Sequence, residues 1–302
     1  MAFGQGARSG LTYVVESVFG QTPLTPQMIQ LPINSHSLNL TKTGIESAEI
    51  RDDRQVAVFR HGNKQIGGDI EVEFRADDYD ELLESAFFGE FDSFNVLKNG
   101  ILQKFFTIED RQLDINQYRT FTGCQVNTFS LSIQPDAIVT TTFSVIGKEG
   151  AISGTSLDST PTAPSGNDPF DSFSGSILEA GNTLLSVTAL DLTVENNIQP
   201  AFVIGSDVTP QLEYGRSNVT GTITAFYEND TLINKFINET DSELVFSLAD
   251  GITGNTYTFT LPRVKYNGAD VPLQNEQGRT ITLPFVGLYD PVEDCSIFLT
   301  RS

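Results

Sequence analysis

Tryptophan is absent from this chain of 302 residues, and histidine, cysteine and methionine occur twice each. With only His36 and His61, a Ser-His-Asp or Cys-His arrangement would need a base held by a third group, and no spacing in the chain suggests one. Zinc needs clustered Cys and His, and there is no such cluster. Cys124 and Cys295 cannot make a disulfide framework, and their separation suggests no bridge, so two free thiols in a reducing compartment are expected. No P-loop occurs. The Gly4-Gln5-Gly6 stretch precedes any strand pattern and lacks a dinucleotide-binding context. There is no run of 18 apolar residues, so no membrane-spanning helix is expected. The first twenty residues carry no apolar h-region, so no secretory signal is expected. Cationic residues are scarce: Lys+Arg number 18 against 39 Asp+Glu, for a net charge of -21. A surface of that sign repels phosphates, which excludes an ordinary nucleic-acid-binding groove. The sequence therefore offers no catalytic, cofactor or metal site, and a non-enzymatic protein without cofactors is expected.

What is present describes a globular chain. Hydrophobic residues make up 39% and charged residues 19%, and mean hydropathy is -0.13; 33.0 kDa is ample for a core without staples. Phenylalanine is heavily used, with 22 residues. Period-2 alternation dominates. Ile70, Val72 and Phe74 alternate with Asp69, Glu71 and Glu73; Phe129, Leu131 and Ile133 with Ser130 and Ser132; Ile281, Leu283 and Phe285 with hydroxyls and Pro284. Helices are few. Residues 78–87 carry the stripe Tyr79, Leu82, Leu83, Ala86, Phe87, with Asp78 as cap and Glu81 at the capping-box position. A shorter helix is expected over 231–238, with Leu232, Ile233, Phe236 and Ile237 turned inward.

The Gly/Ser/Thr/Pro-rich stretch 147–176 reads as a linker or long surface loop near mid-chain, and a search for duplication across it succeeds. LNLT (38–41) matches LDLT (190–193), and HGNKQIGGDI (61–70) matches YGRSNVTGTI (214–223), with Gly68 opposite Gly221. FTGCQV (121–126) matches FTLPRV (259–264), and TTTFSVIG (140–147) matches TITLPFVG (280–287). The blocks keep their order. The reading is a mainly β chain with few helices: two tandem pseudo-repeats, each a β-sheet unit carrying one packed helix.

Two acidic features invite a function. The group Asp77, Asp78, Asp80, Glu81 lacks the Asp-x-Asp-x-Asp-Gly loop of a calcium site, and a helix N-terminus accounts for it. The face Asp69, Glu71, Glu73 is either solvated sheet surface or the wall of an aqueous channel. On the corresponding polar faces of the second half stand Asp191, Thr193 and Glu195, then Thr222 and Thr224.

The arm GARSGLTYVVESVFGQTPLTP, the unit GGDIEVEFRADDYDELLESAF, and the stretches YGRSNVTGTITAF, YTFTLPRVKY and TLPFVGLYDP together resemble the major tail tube proteins of bacteriophages with long, non-contractile (siphovirus-like) tails. The likeness covers nearly the whole chain. One departure is Gly123-Cys124 in the first half where the second has Leu261-Pro262. The resemblance implies a β-sandwich or barrel-forming tail-tube fold, divided as an N-terminal arm (1–30), first repeat (31–150), linker (151–175), second repeat (176–289) and C-terminal arm (290–302). It implies a virion protein assembled in the host bacterial cytoplasm, whose homotrimeric, pseudo-sixfold rings stack into a hollow conduit for DNA ejection. Asp69, Glu71, Glu73, Asp191, Thr193, Glu195, Thr222 and Thr224 would face the bore. Arg51, Asp52, Asp53, Arg54, Arg60, Asp207 and Arg216 would lie at contacts between subunits or rings, with 45–60 and 198–214 as stacking segments. The implied partners are further copies of the chain, the tape measure protein and the terminator and tip proteins. Genomic DNA would pass without specific binding, and no membrane is involved. The competing readings are a surface adhesin or carbohydrate-binding β-protein, and an enzyme on a β scaffold.

Overall fold

The alternating segments become strands. The computed structural model describes residues 3–172, 175–184, 186–252, 255–273 and 278–302. It is 50% strand and 6% helix, which confirms the mainly β reading. The principal elements are β1 (Ser9–Glu16), β2 (Asn39–Glu46), β3 (Phe59–Glu73), α1 (Asp80–Phe87), β4 (Phe105–Gln112), β5 (Gln117–Ile133) and β6 (Thr140–Gly147). They continue with β7 (Val187–Glu195), β8 (Asn218–Phe226), α2 (Thr231–Ile237), β9 (Ser242–Ala249), β10 (Thr256–Tyr266), β11 (Thr280–Gly287) and β12 (Phe298–Arg301).

One antiparallel sheet runs β2–β3–β6–β5–β7–β8–β11. The first four strands come from the first half of the chain and the last three from the second; the join is β5 to β7, with Leu131 opposite Leu192. Among the described residues the sheet does not close on itself, so the barrel expected from the resemblance is not formed within one chain. A second layer is made where β5 leaves this sheet to pair with β4, which pairs with β1, and where β10 pairs with β9 and β12.

Backbone register repeats between the halves. Ile66 faces Gly147 on β3 and β6, and Val219 faces Gly287 on β8 and β11, as two of the sequence blocks require. A bulge sits at the same place in both second layers: Phe106 faces Cys124 and Ile108 faces Phe121, while Ser242 faces Val264 and Leu244 faces Leu261. Cys124 thus corresponds to Val264 and Phe121 to Leu261, two residues from the match FTGCQV/FTLPRV. On β2 and β7, Leu40 faces Ile66 and Val194 faces Val219, so Leu40 corresponds to Val194, again two residues from LNLT/LDLT. A two-residue slip keeps every side chain on its face, so patterning alone could not detect it. The paired glycines have one cause, the close approach of a neighbouring strand. A Cβ on Gly68, whose φ is +150°, would meet Ser37 and Leu38 backbone at 2.6 Å, and one on Gly221 would meet the Asp191 carbonyl at 2.3 Å.

The main hydrophobic cluster spans both halves. At its centre Phe129 stacks on Phe259 with centroids 6.1 Å apart, and Phe259 on Phe246 at 5.0 Å. Phe74 meets both Phe129 and Phe259 at 6.4 Å. Helix α1 lies against β5 with Leu82, Leu83 and Ala86 fully buried, each leucine stabilising by about 1.5–3 kcal/mol. It begins later than expected: Tyr79 is its N-cap. Asp78 does not cap it and instead accepts from the Ser165 backbone N–H at 2.7 Å. Helix α2 buries Leu232 and Ile233 only in part and exposes Phe236 and Ile237, so its expected inward face is half realised.

The segment read from composition as a linker, and the arms implied by the resemblance, are tied down within the chain. Buried Glu109 accepts from the Ser156 hydroxyl at 2.6 Å and the Leu157 N–H at 2.7 Å. Asp158 accepts from the Met28 N–H, and Phe170, fully buried, bonds the Phe74 and Val139 backbone. The 154–172 stretch is therefore a strap over the first half. At the N-terminus, β1 pairs along its whole length with β4. At the C-terminus, β12 is held between β10 and the strand Val96–Lys98. Arg301 pairs with Asp80 and lies over the Phe91 ring at 4.0 Å.

Candidate functional site

Because successive strand residues point to opposite faces, the long sheet has one apolar side, packed into the core, and one polar side. The cross-strand registers bring the polar residues into rows. One row runs Asp69, Ser144, Thr128, Glu195, Asn218. The next runs Ser35, Glu71, Thr142, Ser130, Thr193, Thr220. A third runs Glu73, Thr140, Ser132, Asp191, Thr222, and Thr224 follows beside Thr282. All eight residues expected on a channel wall stand on this one face. The rows add what sequence reasoning passed over: the hydroxyls of β5 and β6, with Asn218 and Thr220. The signal was present in Ser130 and Ser132, but only the β5–β7 join shows that these strands lie between the two acidic groups.

The rows carry five carboxylates, Asp69, Glu71, Glu73, Asp191 and Glu195, and no Lys or Arg. Three of the carboxylates are held by hydroxyls instead of cations. Ser144 donates to Asp69 at 2.5 Å, Ser35 to Glu71 at 2.6 Å and Ser132 to Asp191 at 2.7 Å. The Ser130 and Thr193 hydroxyls lie 3.5 Å apart. The nearest cation is Arg75, whose Nη2 is 3.9 Å from Glu73 at the strand end. Such a face is polar and negative, and these rows offer a phosphate no cation.

The acidic group at α1 serves structure. Asp80 pairs with Arg301 and accepts from Tyr257; burial raises its pKa, and these two partners act the other way. Glu81 and Glu84 both pair with Lys104. Burial pushes the Cys124 thiol well above its ordinary range and the Cys295 thiol to about 11; both cysteines are free. His36 sits 3.5 Å from Asp110, and exposed His61 meets the Phe59 ring edge-on.

The residues expected at subunit or ring contacts fall on two projections from the same end of the sheet. The first is the β2–β3 hairpin, exposed throughout 41–61. Arg51 and Asp53 pair at its tip at 2.6 Å, with Asp52, Arg54 and Arg60 exposed beside them. Ile45 (56%), Ile50 (98%) and Phe59 (56%) are also open. The second joins β7 to β8, the same position in the other half, and exposes Ile204 at 106%. Arg216 is exposed at its end. Asp207 is occupied within the chain: its carboxylate lies 3.0 Å from the Lys64 ammonium and its carbonyl accepts the Lys64 N–H at 2.7 Å. The Lys64 bond holds the Asp207 carboxyl below the usual range.

A family model described as phage tail tube protein matches residues 6–287. No curated protein matches the chain.

Proposed function

The chain belongs to the phage tail tube protein family, a structural, non-enzymatic family of virion components that self-assemble into a tube. From that premise we propose that three copies close into a ring with pseudo-sixfold symmetry, whose bore is lined by the polar face, and that rings stack into a conduit for the genome in a long, non-contractile tail. The observation that carries this reading is a seven-strand face of carboxylates and hydroxyls without a cation, backed by a continuous apolar core. A free sheet of this size would leave edges open to indiscriminate pairing, and ring closure removes them. The repeated registers support two equivalent units per chain, so three chains supply six. The size of such a ring leaves an aqueous lumen, because barrel diameter grows with strand number.

The lining suits passage. Each phosphate held by Lys or Arg would add affinity and act as a brake. Carboxylates repel the duplex over about 10 Å at 0.1 M salt. The two projections, 45–60 and 198–214, are the stacking elements of this reading. Their exposed Ile45, Ile50, Phe59 and Ile204 would be covered by the next ring, and Arg51, Asp52, Asp53, Arg54, Arg60 and Arg216 supply rim charges. The tape measure protein would occupy the bore before ejection, with terminator and tip proteins at the tube ends, and assembly would take place in the host cytoplasm. Charge reversal tests the lining: virions carrying Glu71→Lys with Glu73→Lys should assemble normally yet eject slowly and incompletely. Normal ejection rate and yield would refute the lining argument.

A further inference from the structure

Ring closure needs a specific seam between neighbouring copies, and the chain contains a template for it. Inside one copy the halves join where 128–133 of β5 runs antiparallel to 190–195 of β7. Glu195 faces Thr128, Thr193 faces Ser130, Leu192 faces Leu131 and Leu190 faces Ile133. The counterparts of both strands can be located from register. Ser130 faces Thr142, and Thr142 corresponds to Thr282, which bridges to Asp270. Asp270 is therefore the second-half counterpart of Ser130, and 268–273 is that of 128–133. Likewise Thr193 faces Thr220 while Asn39 faces Gly67, and Gly67 corresponds to Thr220. Asn39 is therefore the first-half counterpart of Thr193, and 36–41 is that of 190–195.

Both counterpart segments have an open side. Among the described residues, β2 pairs only with β3. Among the described residues, the 268–273 segment pairs with no strand but β11: Asp270 and Thr282 exchange both backbone hydrogen bonds, at 3.0 and 2.8 Å. In an antiparallel ladder the next residue then turns both its polar backbone groups the other way. The Val271 carbonyl accordingly takes the Arg279 guanidinium at 2.7 Å, a side chain standing where a strand partner would be. Pro272, which lacks an N–H, falls at a position whose N–H would face β11, so it does not interrupt the outer edge. Asn39, Asp270, Pro272 and Leu273 are all exposed.

We propose that the seam between copies is an antiparallel pairing of 268–273 of one chain with 36–41 of the next, in the register of the internal join: Asp270 opposite Asn39, Val271 opposite Leu38, Ala269 opposite Leu40 and Leu273 opposite His36. This rests on the ring reading above and gives it an address. The Asn39 amide donates to the Asp270 carboxylate on the bore side, as Ser132 does to Asp191 at the internal join. Leu38, Leu40, Ala269 and Val271 extend the apolar back of the sheet. The Leu38 N–H takes the Val271 carbonyl from Arg279. Each chain then contributes eight strands to the wall, the seven of the sheet and the 268–273 segment.

The test is a disulfide across the seam. Asn39 and Asp270 occupy a non-hydrogen-bonded pair in this register, where Cα atoms lie about 4.5 Å apart, within disulfide reach. Asn39→Cys with Asp270→Cys in one chain, assembled into tubes, oxidised and run without reductant, should lose its monomer band to a ladder ending at a closed trimer. Asn39→Cys with Thr224→Cys, on the same face but away from the edge, should remain monomeric. Wild-type tubes should show slowed amide exchange at Leu38, Leu40 and Val271 relative to the dispersed chain, a readout that holds even if the double variant assembles poorly. Intact tubes with neither link nor protection overturn the seam and leave the ring standing. A link in the Thr224 control overturns the register. Wild-type chains that form no rings overturn both readings.

Discussion

Phe129 and Phe259 come from opposite halves of the chain and stack at the centre of one core, and truncating them asks whether the halves fold as a unit. Each ring is completely buried, and each also touches Phe74. Phe→Ala at such a site costs about 3–5 kcal/mol through lost transfer energy and the cavity left behind. A domain has only about 5–15 kcal/mol in total, so either single variant should fold with its denaturation midpoint sharply lowered. The informative quantity is the coupling. An aromatic pair contributes about 0.5–1.5 kcal/mol beyond burial, and the shared cavity adds to it, so the double variant should be less destabilised than the sum of the singles by about 1–2 kcal/mol. Guanidinium unfolding of the dispersed chain, followed by tyrosine fluorescence and circular dichroism, measures both. Additivity within about 0.5 kcal/mol, or two separated transitions of which each variant moves only one, would refute the single shared core.

Four further outcomes are expected. Asp110 is buried; desolvation raises its pKa, but hydrogen bonds from His36 and Arg119 outweigh it and hold the carboxyl below its ordinary value. Its contribution is thus present above about pH 4 and is lost as pH falls through the depressed value. Asp110→Asn should lower stability at pH 7 by about 1–3 kcal/mol and flatten the acid limb of a melting-temperature profile; an unchanged limb refutes the assignment. Arg301→Ala should cost about 1–3 kcal/mol and speed amide exchange in β12, because it unlatches the C-terminal strand from α1. Gly221→Ala should destabilise more than an ordinary strand substitution, since its Cβ would lie 2.3 Å from the Asp191 carbonyl; a melting temperature within error of wild type refutes this. Cys124 should resist thiol reagents in the folded chain and react on unfolding, as its burial and raised pKa require.

The faces of the strands were legible in sequence because a period of two leaves no other way to bury Ile70, Val72, Leu190 and Leu192 together. The carboxylates of the polar face followed from that alone. Strand alignment was legible only to within two residues: Leu40 matches Leu192 by letter and Val194 by hydrogen bonding, and both share a face. The 154–172 strap reads as loose by composition, because it is held through backbone N–H groups, a few side chains such as Asp158 and one phenylalanine, Phe170. Buried Glu109 gave no hint that it would receive two of those bonds. The join of β5 to β7 was not legible at all, since nothing local marks which edge a strand will seek.

The inequality of the two halves also bears on how rings index on one another. Where the first half places Asp69 and Glu71, the second places Thr222 and Thr224, and where the first half projects the β2–β3 hairpin, the second projects the β7–β8 connection. In the trimeric ring proposed above, three acidic β3 staves would alternate with three neutral β8 staves, and hairpin teeth with loop teeth. Successive annuli of that kind would mesh at every third of a revolution but not at every sixth, so the difference between the halves would set the angular phase of the proposed tube and with it the path of the acidic staves along its bore.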